Sequence, residues 1–220
     1  AYVKTLGEAQ ELAKSLIKIG NNIERNVKCV ITRLDEPIGR FFGNNLEVQE
    51  ALRALNGEMS SDIKELLLEM GAHIIAMESG SNNLKYKKKM ILEVLENKKA
   101  YNKLVELLKN NNINFSKAEN IVPVRATVNG YIESIDMSLI RTTAKYLNAI
   151  RHTKDINIES SAGIEFCKKI GDKVEVGEIL GYIHTNEDIK VQESVLRLKE
   201  SFSITSKKIK PTVRIVKIYN

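Results

Sequence analysis

Apolar residues recur at helical spacing in six stretches of the chain. The predicted helices cover residues 5–20, 44–57, 137–149 and three segments within 60–110. The first helix is the most clearly marked, because Thr5 and Glu8 have the spacing of a capping box and Gly20 offers a left-handed stop. The pattern therefore predicts that helices make up much of the structure.

Strand patterns are shorter and lie between or after these helices. The segment VKCVITRL (27–34) is apolar and β-branched, which predicts a buried strand. Alternation over residues 121–136, interrupted by Asn129-Gly130, is typical of a hairpin. Residues 162–186 predict two short strands around glycine-containing turns, and the closing segment KPTVRIVKIYN predicts another strand.

The order of these elements predicts two regions that differ in secondary-structure content. Helix, strand, loop and helix follow one another at the start, which is typical of α/β structure. The polar segment NNNINFSKAEN (110–120) has no period and predicts a linker. We therefore expect a partial α/β domain with helices over residues 1–115, and a small β-rich, barrel-sandwich-like α+β domain over residues 116–220.

The amino-acid composition limits the classes of binding partner that the protein is expected to have. The 34 basic and 28 acidic residues give a net charge of only +6, and aromatic residues make up 5% with no tryptophan. A mixed charge with few stacking side chains disfavours a nucleic-acid interface. No apolar run reaches membrane-spanning length, and Cys29 and Cys167 lack metal-ligand spacing. We expect reduced cysteines, a cytoplasmic location, and neither nucleic acid nor membrane as a partner.

The stretch EPIGRFFGNNLEVQEAL (36–52) places a Gly-rich turn directly before a helix, and three interpretations stay open. Arg40 beside a helix N-terminus could bind phosphate, although two carboxylates in the first turns would repel an anion. Loop carbonyls with one carboxylate would suit an alkali or alkaline-earth cation. Alternatively, Asn44 and Glu47 have capping-box spacing, and the stretch then only reverses the chain and starts the helix.

No familiar catalytic motif is complete in the chain. The Walker, GxSxG and GxGxxG motifs are absent, and His73, His152 and His184 lack zinc-site spacing. The stretch NGYIES…KIGDKVEVGEILGYIHT resembles the barrel-sandwich fold of biotinyl and lipoyl domains, but its tip, residues 184–188, contains no lysine to carry a cofactor. We therefore assign no catalytic residue and no organic cofactor.

Three stretches in order resemble one enzyme family. KTLGEAQELAKSLIKIGN, VITRLDEPIGRFFGNNLEVQEALRALNG and AGIEFCKKIGDKVEVGEILGYIHTN are similar to the later part of the pyrimidine-nucleoside phosphorylases, which include thymidine phosphorylase. The resemblance implies a homodimeric enzyme with a helical and an α/β domain. Its reaction would cleave pyrimidine nucleosides with phosphate, giving the free base and a pentose 1-phosphate.

The same resemblance implies that this chain is a C-terminal portion. The family's phosphate-binding Lys/Ser/Gly motif and base-binding Arg and Lys lie earlier than anything here, so we expect this chain alone to be inactive. Its opening AYVK corresponds to a Gly-Ala-Phe-Met-Lys stretch, which places Tyr2 and Val3 at the base pocket. The family's potassium ligands correspond to the carbonyls of Ile38 and Phe41 and the carboxylate of Glu50, with Phe41 replacing a small residue.

A second hypothesis assigns the chain to a different class of protein. The chain could be a stand-alone interaction or regulatory module that keeps the fold without the chemistry. An upstream reading frame that carries the phosphate motif would favour the enzyme, and a natural start codon directly before Ala1 would favour the module.

Overall fold

Residues 3–113, 115–151 and 158–219, which the computed structural model describes, form seven helices and nine strands. The helices are α1 Leu6–Asn22, α2 Asn44–Leu55, α3 Ser61–Ser79, α4 Leu84–Glu96, α5 Lys99–Asn110, α6 Met137–Tyr146 and α7 Asp188–Glu200. The strands are β1 Cys29–Thr32, β2 Phe41–Phe42, β3 Asn120–Arg125, β4 Gly130–Ile135, β5 Gly163–Phe166, β6 Lys173–Val174, β7 Ile179–Thr185, β8 Phe202–Thr205 and β9 Ile215–Tyr219. The six predicted helices are confirmed as α1 to α6.

Helix α1 begins where its sequence signal predicts. The Thr5 hydroxyl accepts the Glu8 amide at 3.2 Å, and the Glu8 carboxylate accepts the Thr5 amide at 3.1 Å. Hydrogen bonds from the backbone of Lys4 and Thr5 lower the pKa of Glu8. The reciprocal bonds satisfy amides that a helix start otherwise leaves without partners, which fixes the entry of the chain into α1.

All strand pairs of the described residues are antiparallel and lie in three small sheets. Strand β1 pairs with β9, the second sheet has the order β2-β5-β7-β3, and the third has the order β6-β4-β8. These strands form no closed barrel, so the described fold is a mixed α+β arrangement. Strand β1, predicted to be buried, is half-buried with an exposed last residue, because only one other strand flanks it.

The predicted hairpin over residues 121–136 is wrong. Strand β3 pairs with β7 and β4 pairs with β6 and β8, so the two neighbouring strands belong to different sheets. The Asn129 side chain accepts the Val176 amide at 2.8 Å, which ties the connection to a distant segment. The local turn signal was correct about a change of direction, but long-range pairing decided the partners.

Contacts divide the chain into two units, and both are assembled from separated segments. Unit 1 consists of Ala1–Leu34, Ser61–Lys99 and Val213–Asn220. Unit 2 consists of Asp35–Ser60 and Ala100–Thr212. The predicted linker therefore lies inside unit 2, whereas the boundary at 115/116 concerns the domains of a longer protein and stays a prediction. None of the described helices is both long and apolar enough to span a membrane.

Unit 2 contains the larger hydrophobic core. Its members come from both faces of the β-rich region and from α6 and α7, and the largest of those that are fully buried are Phe166, Ile132, Ile140, Leu147, Ile164, Leu180, Ile183 and Leu198. Gly181 lies so close to the Glu165 carbonyl that a Cβ could not be accommodated between these strands. The tight packing gives the loops that leave β5 and β7 a rigid base.

Helix α1 carries an apolar stripe that is exposed in unit 1. Leu12, Leu16 and Ile19 of the helix, and Ile23 directly after its last residue, follow one another at helical spacing and are 45%, 45%, 58% and 63% exposed. Exposed apolar patches of this kind drive association. We therefore expect the 220-residue chain to self-associate when it is isolated.

Light scattering over a range of concentrations measures this association. The double variant Leu16→Gln/Ile19→Gln should lower the average mass, because it interrupts the middle of the stripe. Lys18→Gln, on the same helix but at an exposed polar position, is the matched control and should not. A monodisperse monomer from the unaltered chain at high concentration would contradict the prediction.

Candidate functional site

The candidate site is the loop of residues 35–43, which leads from β1 into α2 and lies in unit 2. Glu36, Pro37, Gly39 and Phe41 are buried, while the Ile38 side chain is 38% exposed. A loop with so many buried residues must satisfy its backbone polar groups internally. Its hydrogen bonds therefore indicate which ligands it could hold.

Glu50 reaches back from α2 into this loop, as its position one turn into the helix predicts. One carboxylate oxygen accepts the Arg40 amide at 2.6 Å, and the other accepts the Phe41 amide at 3.3 Å. Gly39 has a φ of +71°, and a Cβ at that position would overlap the Glu50 carboxylate. The glycine is therefore required both by its backbone conformation and by the approach of the carboxylate.

The structure brings Glu50 and Phe41 together, two of the three predicted potassium ligands. Phe41 belongs to β2, and the N–H and C=O of one strand residue point to the same side. Because the Phe41 amide is directed to Glu50, its carbonyl faces the same side. The Phe41 ring is itself buried, with the Arg53 guanidinium 5.2 Å from its centroid, so its bulk is accommodated away from the backbone.

This donor set fits a hard alkali or alkaline-earth cation in its chemistry. It combines one carboxylate with backbone carbonyls and contains neither thiolate nor imidazole, as such ions prefer. A carboxylate has about four acceptor positions, so accepting two amides does not exclude a cation at Glu50. Within the described residues, no group of three or more His, Cys, Asp or Glu side chains could hold a metal ion. A cation here would therefore depend mainly on backbone oxygens.

Several donors that the anion interpretation of the same loop needs are bound to protein acceptors. The Arg40 guanidinium donates to the Cys167 carbonyl at 3.2 Å. At the start of α2, the Asn44 amide donates to the Ala149 carbonyl at 2.9 Å and the Gly43 amide to the Glu47 carboxylate at 3.3 Å. The two amides are thus engaged with protein acceptors, as is one of the five N–H donors of Arg40. The Glu47 and Glu50 carboxylates beside them disfavour an anion, so the cation and a simple chain reversal are the better-supported interpretations.

The predicted cap at Asn44 is wrong. The N-cap of α2 is Gly43, and no side chain makes the capping bond there. Glu47 does reach back to the cap amide, so half of the predicted reciprocal pair is present. Asn44 lies inside the helix because Gly43, with a φ of +149°, turns the chain one residue earlier.

Hydrogen bonds join the opposite side of the loop to residues 166–170. The Phe166 amide donates to the Arg40 carbonyl at 2.7 Å, and Arg40 donates to the Cys167 carbonyl. The Lys169 ammonium donates to the Pro37 carbonyl, and the Ile170 amide donates to the Glu36 carboxylate at 2.7 Å. Sequence reasoning missed these contacts, since no local pattern connects segments that lie 132 and 134 positions apart.

Of the two predicted base-pocket residues, the structure describes Val3. Tyr2 is outside the described residues. Val3 is half-buried and precedes α1 in unit 1, whereas the loop lies in unit 2. Their assignment to a base pocket therefore stays a prediction.

Two histidines have carboxylate neighbours that the sequence analysis did not identify. His73 Nε2 lies 3.3 Å from Glu69 Oε1, a pairing that the i,i+4 spacing on α3 could have predicted. His184 Nε2 lies 3.2 Å from Glu165 Oε2, a pairing across two strands that spacing could not predict. His152 lies outside the described residues.

Both cysteines are free thiols in the structure. Burial raises the pKa of the Cys167 thiol, and the nearby Glu165 carboxylate raises it further. The thiol therefore stays protonated near neutral pH and is a poor nucleophile. This agrees with the interpretation of the cysteines as reduced, small apolar residues.

Comparison with known proteins confirms the sequence resemblance. The family described as pyrimidine nucleoside phosphorylase C-terminal domain matches residues 131–205. The pyrimidine-nucleoside phosphorylase of Staphylococcus haemolyticus (strain JCSC1435) is 32% identical over 222 residues, covering 97% of this chain and 51% of that protein. Those of Staphylococcus aureus strains bovine RF122 / ET3-1 and USA300 give the same identity and coverage. The chain spans about half the length of these relatives and corresponds to a C-terminal portion of them.

Proposed function

We propose that this chain is the C-terminal portion of a pyrimidine-nucleoside phosphorylase. The observation that carries the proposal is the 32% identity to proteins of that name over 97% of the chain. The longer protein would cleave a pyrimidine nucleoside with inorganic phosphate. A phosphate oxygen forms a bond to C1′ of the pentose, the bond from C1′ to the base nitrogen breaks, and the base leaves with the electron pair.

In this proposal the chain completes two parts of the longer enzyme. Residues 1–115 contribute to its central α/β domain, residues 116–220 form its C-terminal α+β domain, and Tyr2 and Val3 border the base pocket. The enzyme would act as a cytoplasmic homodimer. The exposed stripe on α1 is compatible with the proposal, since the preceding half of the longer protein would cover it.

We assign to this chain half of a potassium site. The carbonyls of Ile38 and Phe41 and the carboxylate of Glu50 would hold the ion, and the preceding half would supply the remaining ligands. A bound potassium ion supplies fixed positive charge that joins two parts of a fold. The two amides that Glu50 accepts hold its carboxylate in the loop, so this part of the coordination shell is preorganised.

The proposed activity is tested with the longer native polypeptide that contains this chain. Uridine, thymidine and deoxyuridine are incubated with and without phosphate, and the free base and the pentose phosphate are quantified. We expect release of both products in equal amounts, and only when phosphate is present. No base release from any of the three nucleosides would overturn the proposal and favour the stand-alone interaction module.

Glu50→Gln in the longer protein tests the potassium site. Glutamine keeps the volume and one acceptor oxygen but removes the charge that attracts the cation. We expect the potassium concentration for half-maximal activity to rise by at least the roughly 10- to 100-fold that losing an outer-shell partner costs at other metal sites. The circular dichroism spectrum should stay unchanged.

Glu47→Gln is the matched control for this measurement. Glu47 lies on the same helix and is exposed, and its carboxylate contacts the Gly43 amide, not the Arg40 and Phe41 amides. We expect its potassium dependence to match that of the unaltered protein. If glutamine at position 50 also leaves the dependence unchanged, the loop only reverses the chain.

A further inference from the structure

We propose that Lys169 is a positioning residue that holds the loop of residues 35–43 in the conformation that faces Glu50. The proposal rests on the potassium site proposed above, and it concerns a side chain outside that ligand set. The loop is held on two sides, by Glu50 from α2 and by residues 166–170 from the end of β5. At the Glu36–Pro37 end of the loop, Lys169 donates from a charged side chain, whereas Ile170 donates from its backbone amide.

The Lys169 contact lies directly before a predicted potassium ligand, so it can restrict the position of that ligand. Its ammonium donates to the carbonyl of Pro37, and that carbonyl belongs to the planar peptide that joins Pro37 to Ile38. Fixing this peptide plane fixes the chain directly before the predicted carbonyl ligand at Ile38. Only the φ and ψ of Ile38 lie between this anchored peptide and the Ile38 carbonyl, so few backbone torsions stay adjustable between the contact and the ligand.

The two ends of the loop are held by different hydrogen bonds, and Lys169 acts at one of them. The Phe166 amide and the Arg40 side chain tie the Arg40 end of the loop to β5, and β2 pairs with β5 beside them. The Glu36–Pro37 end lies before this pairing and is tied by the Ile170 amide and the Lys169 ammonium. Lys169 is half-buried, and hydrogen bonds from charged donors are stronger than neutral ones.

Lys168 offers a matched control in the adjacent position. Its ammonium donates to the Lys173 carbonyl at 3.0 Å and to the Glu178 carboxylate at 3.2 Å. Both partners lie in the segment from β6 to the start of β7, not in the loop. Lys168→Met therefore removes a lysine of the same segment without removing a loop contact.

The experiment measures amide hydrogen exchange and potassium binding in the longer native protein. Lys169→Met, Lys168→Met and Lys169→Arg are compared with the unaltered protein. We expect Lys169→Met to speed exchange at the Arg40 and Phe41 amides by about tenfold, the effect of losing one hydrogen bond to a charged group. The potassium concentration at the midpoint of a thermal-shift titration should rise with it. Lys169→Arg should restore both, and Lys168→Met should change neither.

The two readouts separate this proposal from the one on which it rests. Exchange rates in Lys169→Met that equal those in Lys168→Met would overturn the role of Lys169. The role of Lys169 would also be overturned if the midpoint potassium concentration stays unchanged or falls in Lys169→Met. A fall would mean that the lysine charge repels the ion more strongly than the lysine contact favours its binding. If the unaltered protein shows no response to potassium, the cation site fails, and the exchange rates still decide whether Lys169 holds the loop.

Discussion

Arg214→Met is expected to lower the free energy of unfolding by about 3 kcal/mol or more, as breaking buried ion pairs does in other proteins. Arg214 is 2% exposed and lies directly before β9 in unit 1. Its guanidinium lies 3.3 Å from the Asp62 carboxylate and donates to the Arg33 carbonyl at 3.0 Å. Methionine fills much of the same volume but leaves a largely buried carboxylate without its arginine.

Urea denaturation of the 220-residue chain and its variants measures this loss. Arg25→Met replaces an exposed arginine of the same unit and should change the unfolding free energy little. Arg214→Lys keeps the charge but not the planar fork that reaches two acceptors, so it should recover only part of the stability. Adding Asp62→Asn to Arg214→Met should recover part of the loss, because the uncompensated charge is removed. Equal stability of Arg214→Met and Arg25→Met would contradict this account.

Six of the seven described helices could be predicted from the sequence because their determinants are local, whereas α7 was missed. In α1, Thr5 and Glu8 are three residues apart, and the bonds they make are those that their spacing predicts. Glu50 is similar: its position within α2 directs the carboxylate toward the preceding loop, and the structure confirms that direction. In each case the partners are close in sequence, so side-chain geometry alone restricts the outcome.

Strand partners could not be predicted because alternation identifies a strand but not its neighbour. Strands β3 and β4 are separated by four residues, yet they join different sheets. Strand β1 pairs with β9 at the far end of the chain, with Cys29 opposite Tyr219. Pairing of this kind depends on the whole core, and a local turn signal at Asn129 carries no information about it.

The same distinction applies to the candidate site. The side that carries the proposed potassium ligands, Glu50 with the loop, is encoded within one short stretch and is recognisable there. The anchoring side, Lys169 and Ile170, comes from a segment that the chain reaches only after α3 to α6. Charged residues at the end of a strand are typical of solvated turns, so nothing in the KKIGD stretch indicates a contact with Pro37 and Glu36.

The 220-residue chain by itself is expected to show no phosphorolysis of uridine or thymidine. The reaction requires phosphate and nucleoside to be held together, and positioning of this kind contributes roughly 7–11 kcal/mol to lowering the barrier. The chain spans 51% of its relatives, and the resemblance assigns the phosphate and base motifs to the other half. In the loop, the Gly43 and Asn44 amides at the start of α2 are engaged with protein acceptors, and one guanidinium N–H of Arg40 donates to the Cys167 carbonyl.

The measurement compares the isolated chain with the longer native protein at equal concentration, by phosphate-dependent release of uracil or thymine. We expect the isolated chain to stay at the level of a reaction without protein. The preparation must be free of the host's own phosphorylase, which a mock purification from cells without the chain controls. Adding the preceding half as a separate polypeptide should raise the rate if the α1 stripe binds it. If the isolated chain turns over substrate at a rate comparable to that of the longer protein, these residues contain a complete active site. That result would refute the proposal that the phosphate and base motifs lie in the other half.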